Sequence, residues 1–544
     1  WSAQAPEGTT SLTWEFDARE DGGAARDRLR ITQQVAPAVP ATVQQATFAR
    51  IEGRYEVPAT LPAGALPGKG GIEVGLSPRL STPPPGLRRF FEDYPYTCLE
   101  QKTSIAVGLH DEKRWQAMTG ELPALLDGNG LARYFNYDAP GSVALTAYVL
   151  DMAAASGLPL PEEARLRMVQ GLSGFVEGRS RPQAWSPLSD AGGDLLARKL
   201  LALEALSRQG VTSGGPARAA AALEVEPLRL PTSALIDWYL VVKRLPELPQ
   251  RTGKLAAAEQ ELRNRLGYSG GRLGFTTEKS DNWWWLMVSG DGNAFRLIEA
   301  MLDEPGWRDE LPRLVQGALE RQARGHWHTT TANAWASLVL DKFGRKFERE
   351  PVTGLTRASL GKATAELRWP ADATTAPQPQ PLALPWPAGG EGRLQLSHEG
   401  SGRPWATVQV LAAIPAGTPR AFGYRVNRTV TPLQEKQPGR VSRGDLWRVT
   451  LAVEADQDMS WVVVSDPIPA GARILGDGDG RDSSIATRDE DRRQRGLWPS
   501  FVERSFGYYR AYYEMVPRGR FQIDYTLRIN NAGDFSLPPT RVEA

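Results

Sequence analysis

The chain has 544 residues, with 64 Lys+Arg against 63 Asp+Glu and a single cysteine. That length exceeds what one hydrophobic core supports and predicts about two to four domains. The balanced charge argues against nucleic acid or an anionic membrane as the main partner, and no apolar run approaches the ~18 residues of a membrane helix.

Residues 1–85 read as short β-like runs, such as Leu29-Arg30-Ile31-Thr32 and Gly71-Ile72-Glu73-Val74-Gly75-Leu76, punctuated by Pro58, Pro62 and Pro67. Pro83-Pro84-Pro85-Gly86 marks a stiff boundary. From there to residue 346 the apolar period is helical: Leu145, Tyr148, Val149 and Met152 share one face, as do Leu235, Trp238, Tyr239 and Val242. Leu196, Leu200 and Leu203 make a further face, and so do Trp335, Leu338 and Val339. About ten to twelve short helices are predicted, which periodicity alone leaves free to stack or to close into a ring. After Phe347 strand patterns return in 365–369, 393–396, 407–412 and 446–452, and the Pro/Ala-rich stretch 377–390 reads as a loop. A helical block is therefore inserted between two β stretches.

A solitary cysteine forms no internal disulfide, so its value lies in packing or in its own chemistry. It opens Cys98-Leu99-Glu100-Gln101. If a helix starts there, the thiol and the Gln101 amide share one side of a turn. The thiol can then displace ammonia and close an internal thioester. The plainer alternative is a buried thiol beside a helix start, and spacing leaves both open. In the thioester reading Cys98 Sγ is the leaving thiolate and the Gln101 side-chain carbonyl is the acyl donor. Glu100 reads first as a first-turn carboxylate favoured by the helix dipole.

The wider string Phe90-Phe91-Glu92-Asp93-Tyr94-Pro95-Tyr96-Thr97-Cys98-Leu99-Glu100-Gln101-Lys102-Thr103-Ser104 resembles the thioester motif of the alpha-2-macroglobulin and complement superfamily, and its bacterial members above all. Leu122–Asp127, Gly130–Phe135 and Gly141–Tyr148 make a second match. Trp327-His328-Thr329-Thr330-Thr331-Ala332-Asn333-Ala334-Trp335-Ala336 makes a third, departing from the frequent Thr-Thr-Gln form at Thr331. The resemblance implies a CUB-like β domain (1–85 and 347–417) interrupted by an α/α-toroid thioester domain (86–346). A macroglobulin-like β-sandwich (418–544) would follow. It also implies a protease trap, not an enzyme: cleavage of a bait region elsewhere exposes the thioester, which then acylates surface lysines of the attacking endopeptidase. Upstream macroglobulin domains of the same protein would be partners, along with other periplasmic envelope proteins. The expected setting is the periplasm, the chain being a fragment of a longer protein anchored to the inner membrane through an upstream part. No cofactor, metal or nucleic acid is expected.

A thioester needs cover. Tyr94 and Tyr96 precede Cys98, and the run 508–515 offers Tyr513 and Met515 from the C-terminal domain; an ordinary aromatic strand is the alternative there. In some complement proteins a histidine downstream of the motif assists transfer to hydroxyls; no histidine lies between His110 and His326, so the resemblance implies direct attack by amines. His326 and His328 read as surface-loop residues. Trp283-Trp284-Trp285 cannot all point one way on a helix, so core and domain contacts are expected before any sugar-stacking role. Asp477, Asp479 and Asp482 mimic a calcium loop, but Arg481 and Arg488 occupy ligand positions, so a solvated loop is expected. Two other readings remain. One is a toroidal carbohydrate-active or lyase-type enzyme using acids such as Asp138, Asp190 and Asp281. The other is a thioester adhesin or structural envelope protein.

Overall fold

Period-two sequence before and after the helical block meets in shared sheets. The computed structural model describes the chain apart from residues 1–5, 7–8, 36, 38, 81–83, 138, 183–184, 189–190, 278–282, 371–379, 388, 416, 418, 420, 476–496 and 536. β1 (Ser11–Arg19) and β2 (Arg26–Gln34) form a two-stranded sheet of their own, apart from the sheets that the later strands build. Trp14 pairs with Ile31 and Phe16 with Leu29, which sets these apolar side chains on one face. Phe16, Leu29 and Ile31 remain exposed there.

β3 (Thr42–Arg50), β4 (Arg54–Thr60) and β5 (Gly70–Ser77) lead into the helices. Pro84 and Pro85 open α1 (Pro85–Glu92), where a missing N–H is harmless. Next come α2 (Leu99–Gly108), α3 (Glu112–Leu125), α4 (Val143–Ser156), α5 (Glu162–Val176), α6 (Ala191–Arg208) and α7 (Gly214–Ala221). After them come α8 (Thr232–Arg244) and α9 (Arg251–Asn264), then the hairpin β6 (Leu266–Ser269) and β7 (Arg272–Phe275). α10 (Gly290–Met301), α11 (Leu311–Leu319) and α12 (Thr330–Phe347) close the block. The helical period foretold these helices, but not the hairpin. Helices α2, α4, α6, α8, α10 and α12 contact one another in a closed cycle, which answers the question that periodicity left open. Their buried faces include the expected Leu145, Tyr148, Val149 and Met152, and Leu235, Trp238, Tyr239 and Val242.

Beyond the block lie β8 (Gly354–Leu360), β9 (Ala363–Trp369), β10 (Leu382–Leu384), β11 (Glu391–Glu399) and β12 (Trp405–Ala412). One sheet runs β10-β5-β12-β3 and the other β4-β11-β8-β9, so strands separated by the whole block lie side by side. Ile72, Val74, Leu394, Leu396 and Val408 fill the core between them. The stretch expected to be a loop contributes β10, which pairs with Ile72–Val74; its residues 377–379 and 388 lie outside the described ones. Glu348, at the exit of the block, ties the two flanks together. Its carboxylate accepts from the Leu80 N–H at 2.7 Å and from Trp405 Nε1 at 2.7 Å.

The C-terminal region holds β13 (Tyr424–Gln434), β14 (Leu446–Ala455), β15 (Met459–Pro467), β16 (Ala472–Ile474), β17 (Phe501–Arg504), β18 (Tyr508–Val516), β19 (Gly519–Ile529) and β20 (Arg541–Glu543). They make two four-stranded sheets, β13-β14-β19-β16 and β17-β18-β15-β20. Val449, Leu451, Val464, Tyr513, Ile523 and Tyr525 lie in the core between them.

Truncating Glu348 to Ala strips two donors of their shared acceptor. Each orphaned donor costs about 1–3 kcal/mol, so the denaturation midpoint should fall clearly in Glu348→Ala. Glu348→Gln, which keeps one acceptor, should recover part of the loss in the same titration.

Candidate functional site

Cys98 stands at the N-cap of α2 in an extended conformation, with Gln101 at the third helical position. The Cys98 backbone N–H donates to Gln101 Oε1 at 3.0 Å, which is half of a capping box. The other half is made by the Gln101 backbone N–H, which points at the Cys98 sulfur. The local helix-start preference thus places thiol and amide together, as their spacing predicted. On its other side, Gln101 Nε2 lies 3.5 Å from the Tyr94 hydroxyl. Burial pushes the Cys98 thiol well above its ordinary pKa, and the Glu100 charge adds to that; the Gln101 and Glu100 N–H groups oppose it. The thiol is therefore neutral at pH 7. Burial likewise raises the Tyr94 phenol.

The first turn is braced from two sides. The Leu99 N–H donates to the Tyr134 carbonyl at 2.9 Å. Tyr134 belongs to a loop organised by buried Asp127, whose carboxylate accepts from the N–H groups of Asn129 (2.8 Å), Leu131 (2.9 Å) and Gly141 (2.8 Å). Within that loop Gly130 adopts φ +86° against the Arg167 carbonyl, where a side chain has no room. Glu100 points inward rather than merely facing the helix dipole. It accepts from Ser104 Oγ at 2.6 Å and from Thr330 Oγ1 at 2.8 and 3.1 Å. Ser104 in turn shares a 2.6 Å hydrogen bond with the Tyr148 hydroxyl. Burial raises the Glu100 carboxyl, and the two hydroxyls partly offset this. The third sequence match thus reaches the motif through Thr330.

Aromatic rings close the outer side. Tyr94 packs against Phe90 (5.3 Å between centroids) and edge-on against Tyr96 (5.6 Å). His326 stacks under Phe90 at 4.4 Å, so it is a partly buried support and not a surface-loop residue; His328 is exposed. From the C-terminal sheets, Trp461 covers Tyr134 (3.8 Å), Phe501 stacks on Phe135 (4.3 Å), and Tyr512 meets Phe135 (4.7 Å) and Tyr96 (6.2 Å). Arg510 Nη1 donates to the Pro95 carbonyl at 2.7 Å, and the Tyr96 hydroxyl donates to Glu543.

Tyr513, expected to join this cover, faces the other way. Strand alternation sends Tyr512 to the helical block and Tyr513 into the sandwich core, against Phe521 at 5.1 Å. Met515 stands opposite Ser460, near the end of β18. Sequence reasoning missed Tyr512, Phe501 and Trp461. The available signal was Arg510, a charged residue two positions from Tyr512 and on the same face.

Trp283, Trp284 and Trp285 are all partly buried. Trp283 and Trp285 lie 4.9 Å apart, and Trp285 Nε1 donates to Asp194 at 2.8 Å. Inside the helical cycle, Arg208 bridges Glu204 and Glu299, Arg244 adds to Glu204, and Arg296 pairs with Asp237. These acids are thus neutralised structurally. Asp138, Asp190, Asp281, Asp477, Asp479, Asp482 and the tract 488–495 lie outside the described residues.

Four likenesses to known proteins bear on kinship. The family described as Bacterial Alpha-2-macroglobulin MG10 domain matches residues 423–544. An alpha-2-macroglobulin homolog of Nostoc sp. is 23% identical over 304 residues, covering 52% of this chain and 15% of that protein. Alpha-2-macroglobulin from Escherichia coli, solved from domain MG7 to the C-terminus, aligns with 98% of this chain and 84% of its own at TM-score 0.69 and 16% identity. Salmonella alpha-2-macroglobulin reacted with methylamine aligns with 98% of this chain and 34% of its own, at TM-score 0.69 and 17% identity. The chain therefore spans only a minor part of the curated relative, and the structural likeness establishes the fold.

Because burial raises the Glu100 carboxyl, its stabilising contribution is full below the ordinary carboxylate range and is lost as pH rises through the elevated value. Glu100→Gln keeps an oxygen acceptor and does not titrate. The stability of Glu100→Gln relative to wild type should therefore rise with pH across that window and then level off, as read from denaturant midpoints at stepped pH.

Proposed function

We propose that this chain, related in sequence and fold to the C-terminal region of the bacterial alpha-2-macroglobulins, carries an internal thioester between Cys98 and Gln101 and supplies the covalent grip of a protease trap. Closure forms the Sγ–Cδ bond and releases ammonia. A lysine amine of the captured protease then attacks Cδ, leaving an amide to the target and a free Cys98 thiol. The reaction is spent once, so the chain acts as an inhibitor and not as a turnover enzyme. The observation that carries the reading is the Gln101 side-chain carbonyl held at the Cys98 N–H, inside a ring of aromatic side chains.

In this reading the closed helical cycle is the thioester-bearing α/α toroid, inserted into a CUB-like pair of sheets. The C-terminal sandwich is the macroglobulin-like domain that keeps water and small amines out. Bait cleavage in upstream domains would undock that sandwich and expose the bond. A periplasmic setting, where proteases are met outside the cytoplasm, fits this task. The docked cover is supported by Tyr512 and Val463, which pack into the hydrophobic core of the helical block.

Intact mass tests the bond: the purified chain should weigh one ammonia less than its sequence requires. Methylamine should add its own mass and release a titratable thiol, and Cys98→Ala should do neither. In the full-length protein, Cys98→Ala should abolish detergent-stable conjugates with protease; their persistence would sink the reading. The cover is tested separately. Tyr512→Ala or Trp461→Gly should speed methylamine uptake by roughly tenfold or more, equivalent to about 1.4 kcal/mol of lost protection. Tyr513→Ala should instead show first as a stability loss of about 3–5 kcal/mol, comparable to other large-to-small aromatic core truncations.

A further inference from the structure

A cover needs only the ring of Tyr94, yet its hydroxyl is placed for chemistry. Gln101 Nε2 donates to that hydroxyl oxygen across 3.5 Å, while Gln101 Oε1 accepts from the Cys98 N–H at 3.0 Å. The amide is therefore held at both ends. A backbone donor sits where negative charge develops on oxygen, and a phenol sits at the nitrogen that must leave. An amide nitrogen departs only after gaining a proton, and a neutral buried thiol must lose one as it attacks. Three neighbouring polar side chains are engaged elsewhere. Glu100 is engaged by Ser104 and Thr330, Lys102 pairs with Glu121 at 2.6 Å, and the Tyr96 hydroxyl is committed to Glu543.

We propose that Tyr94 is the proton carrier of ring closure, its hydroxyl passing a proton to Gln101 Nε2 as it takes the one leaving Cys98 Sγ. The Sγ–H and Cδ–Nε2 bonds break, the Sγ–Cδ bond forms, and ammonia leaves with the relayed proton. Tyr94 ends as it began, and no external reactant is needed. Burial suits this role, since it keeps the phenol protonated. By microscopic reversibility an attacking amine occupies the place of Nε2, so the same hydroxyl carries the amine's proton to the departing sulfur. The ring of Tyr94 thus hinders access while its hydroxyl assists whatever gains entry. The inference rests on the thioester reading above.

The two roles separate by substitution in the full chain. Tyr94→Phe keeps the ring and removes the hydroxyl. Newly made protein should then condense about 100-fold more slowly, the loss expected for one proton-transfer group, as followed by intact mass over time. The fraction that does condense should react with methylamine more slowly than wild type, whereas Tyr94→Gly should react faster. Tyr94→Phe condensing at the wild-type rate overturns the proton-carrier role and leaves the thioester reading intact. A folded wild-type chain at its full translated mass overturns both. Should Tyr94→Phe lose its cooperative melting transition, fluorinated tyrosine at position 94 preserves the ring and alters phenol acidity. A closure rate that follows that acidity supports the role, and an unchanged rate overturns it.

Discussion

One hydrogen bond, from the Leu99 N–H to the Tyr134 carbonyl, ties the first turn of α2 to the loop on which the C-terminal sheets rest. It fixes the first turn of α2 to a loop that Asp127 holds rigid through three backbone N–H groups. That same loop carries Tyr134 and Phe135, the rings on which Trp461, Phe501 and Tyr512 settle. The Cys98–Gln101 turn and the surface that receives the C-terminal sheets thus share one peptide link. A shift of that loop would move the sulfur, the amide and the cover together.

The site also depends on keeping charge away. Burial holds the Cys98 thiol and the Tyr94 phenol neutral, and it works against ionisation of Glu100. Ionised groups are thereby kept out of the turn, while directed hydrogen bonds remain: the Cys98 N–H donates to Gln101 Oε1 and Gln101 Nε2 donates to the Tyr94 hydroxyl oxygen. By contrast, the charges inside the helical cycle are paired among themselves, Arg208 with Glu204 and Glu299, and Arg296 with Asp237. These pairs are buried and mutually neutralised, whereas Asp151 Oδ1 and Glu204 Oε2 beside them lie buried without a hydrogen-bond partner among the described residues.

Much of this was legible in the sequence because it is local. The Cys98–Gln101 spacing is a helix-start property, and helical periodicity foretold the buried faces of α4 and α8. Pairing of the two β flanks, which is not local, was implied by the family resemblance alone. What escaped was set at long range. Glu100 was read through the helix dipole because its partner Thr330 lies 230 positions away. Tyr513 was favoured over Tyr512 because β18 buries both of its faces, one in the sandwich and one against the helices, so that tyrosines on either side look equally apolar. Trp461 sits at φ +53°, a left-handed conformation that strand patterning does not foresee for an aromatic residue. The strand Leu382–Leu384 was hidden in proline-rich sequence, which reads as loop unless its partner β5 is known.

The contact between the helical block and the C-terminal sheets combines a few polar tethers, such as Arg510 to the Pro95 carbonyl, with a patch of stacked rings. Parting such surfaces hydrates apolar area, and that carries a positive heat capacity. Docking therefore has a temperature of greatest strength and weakens on either side of it, so chilling loosens the seal as warming does. Sulfate or sugar osmolytes, which favour burial of surface, tighten it. Cold storage and added osmolyte therefore act on this contact in opposite directions.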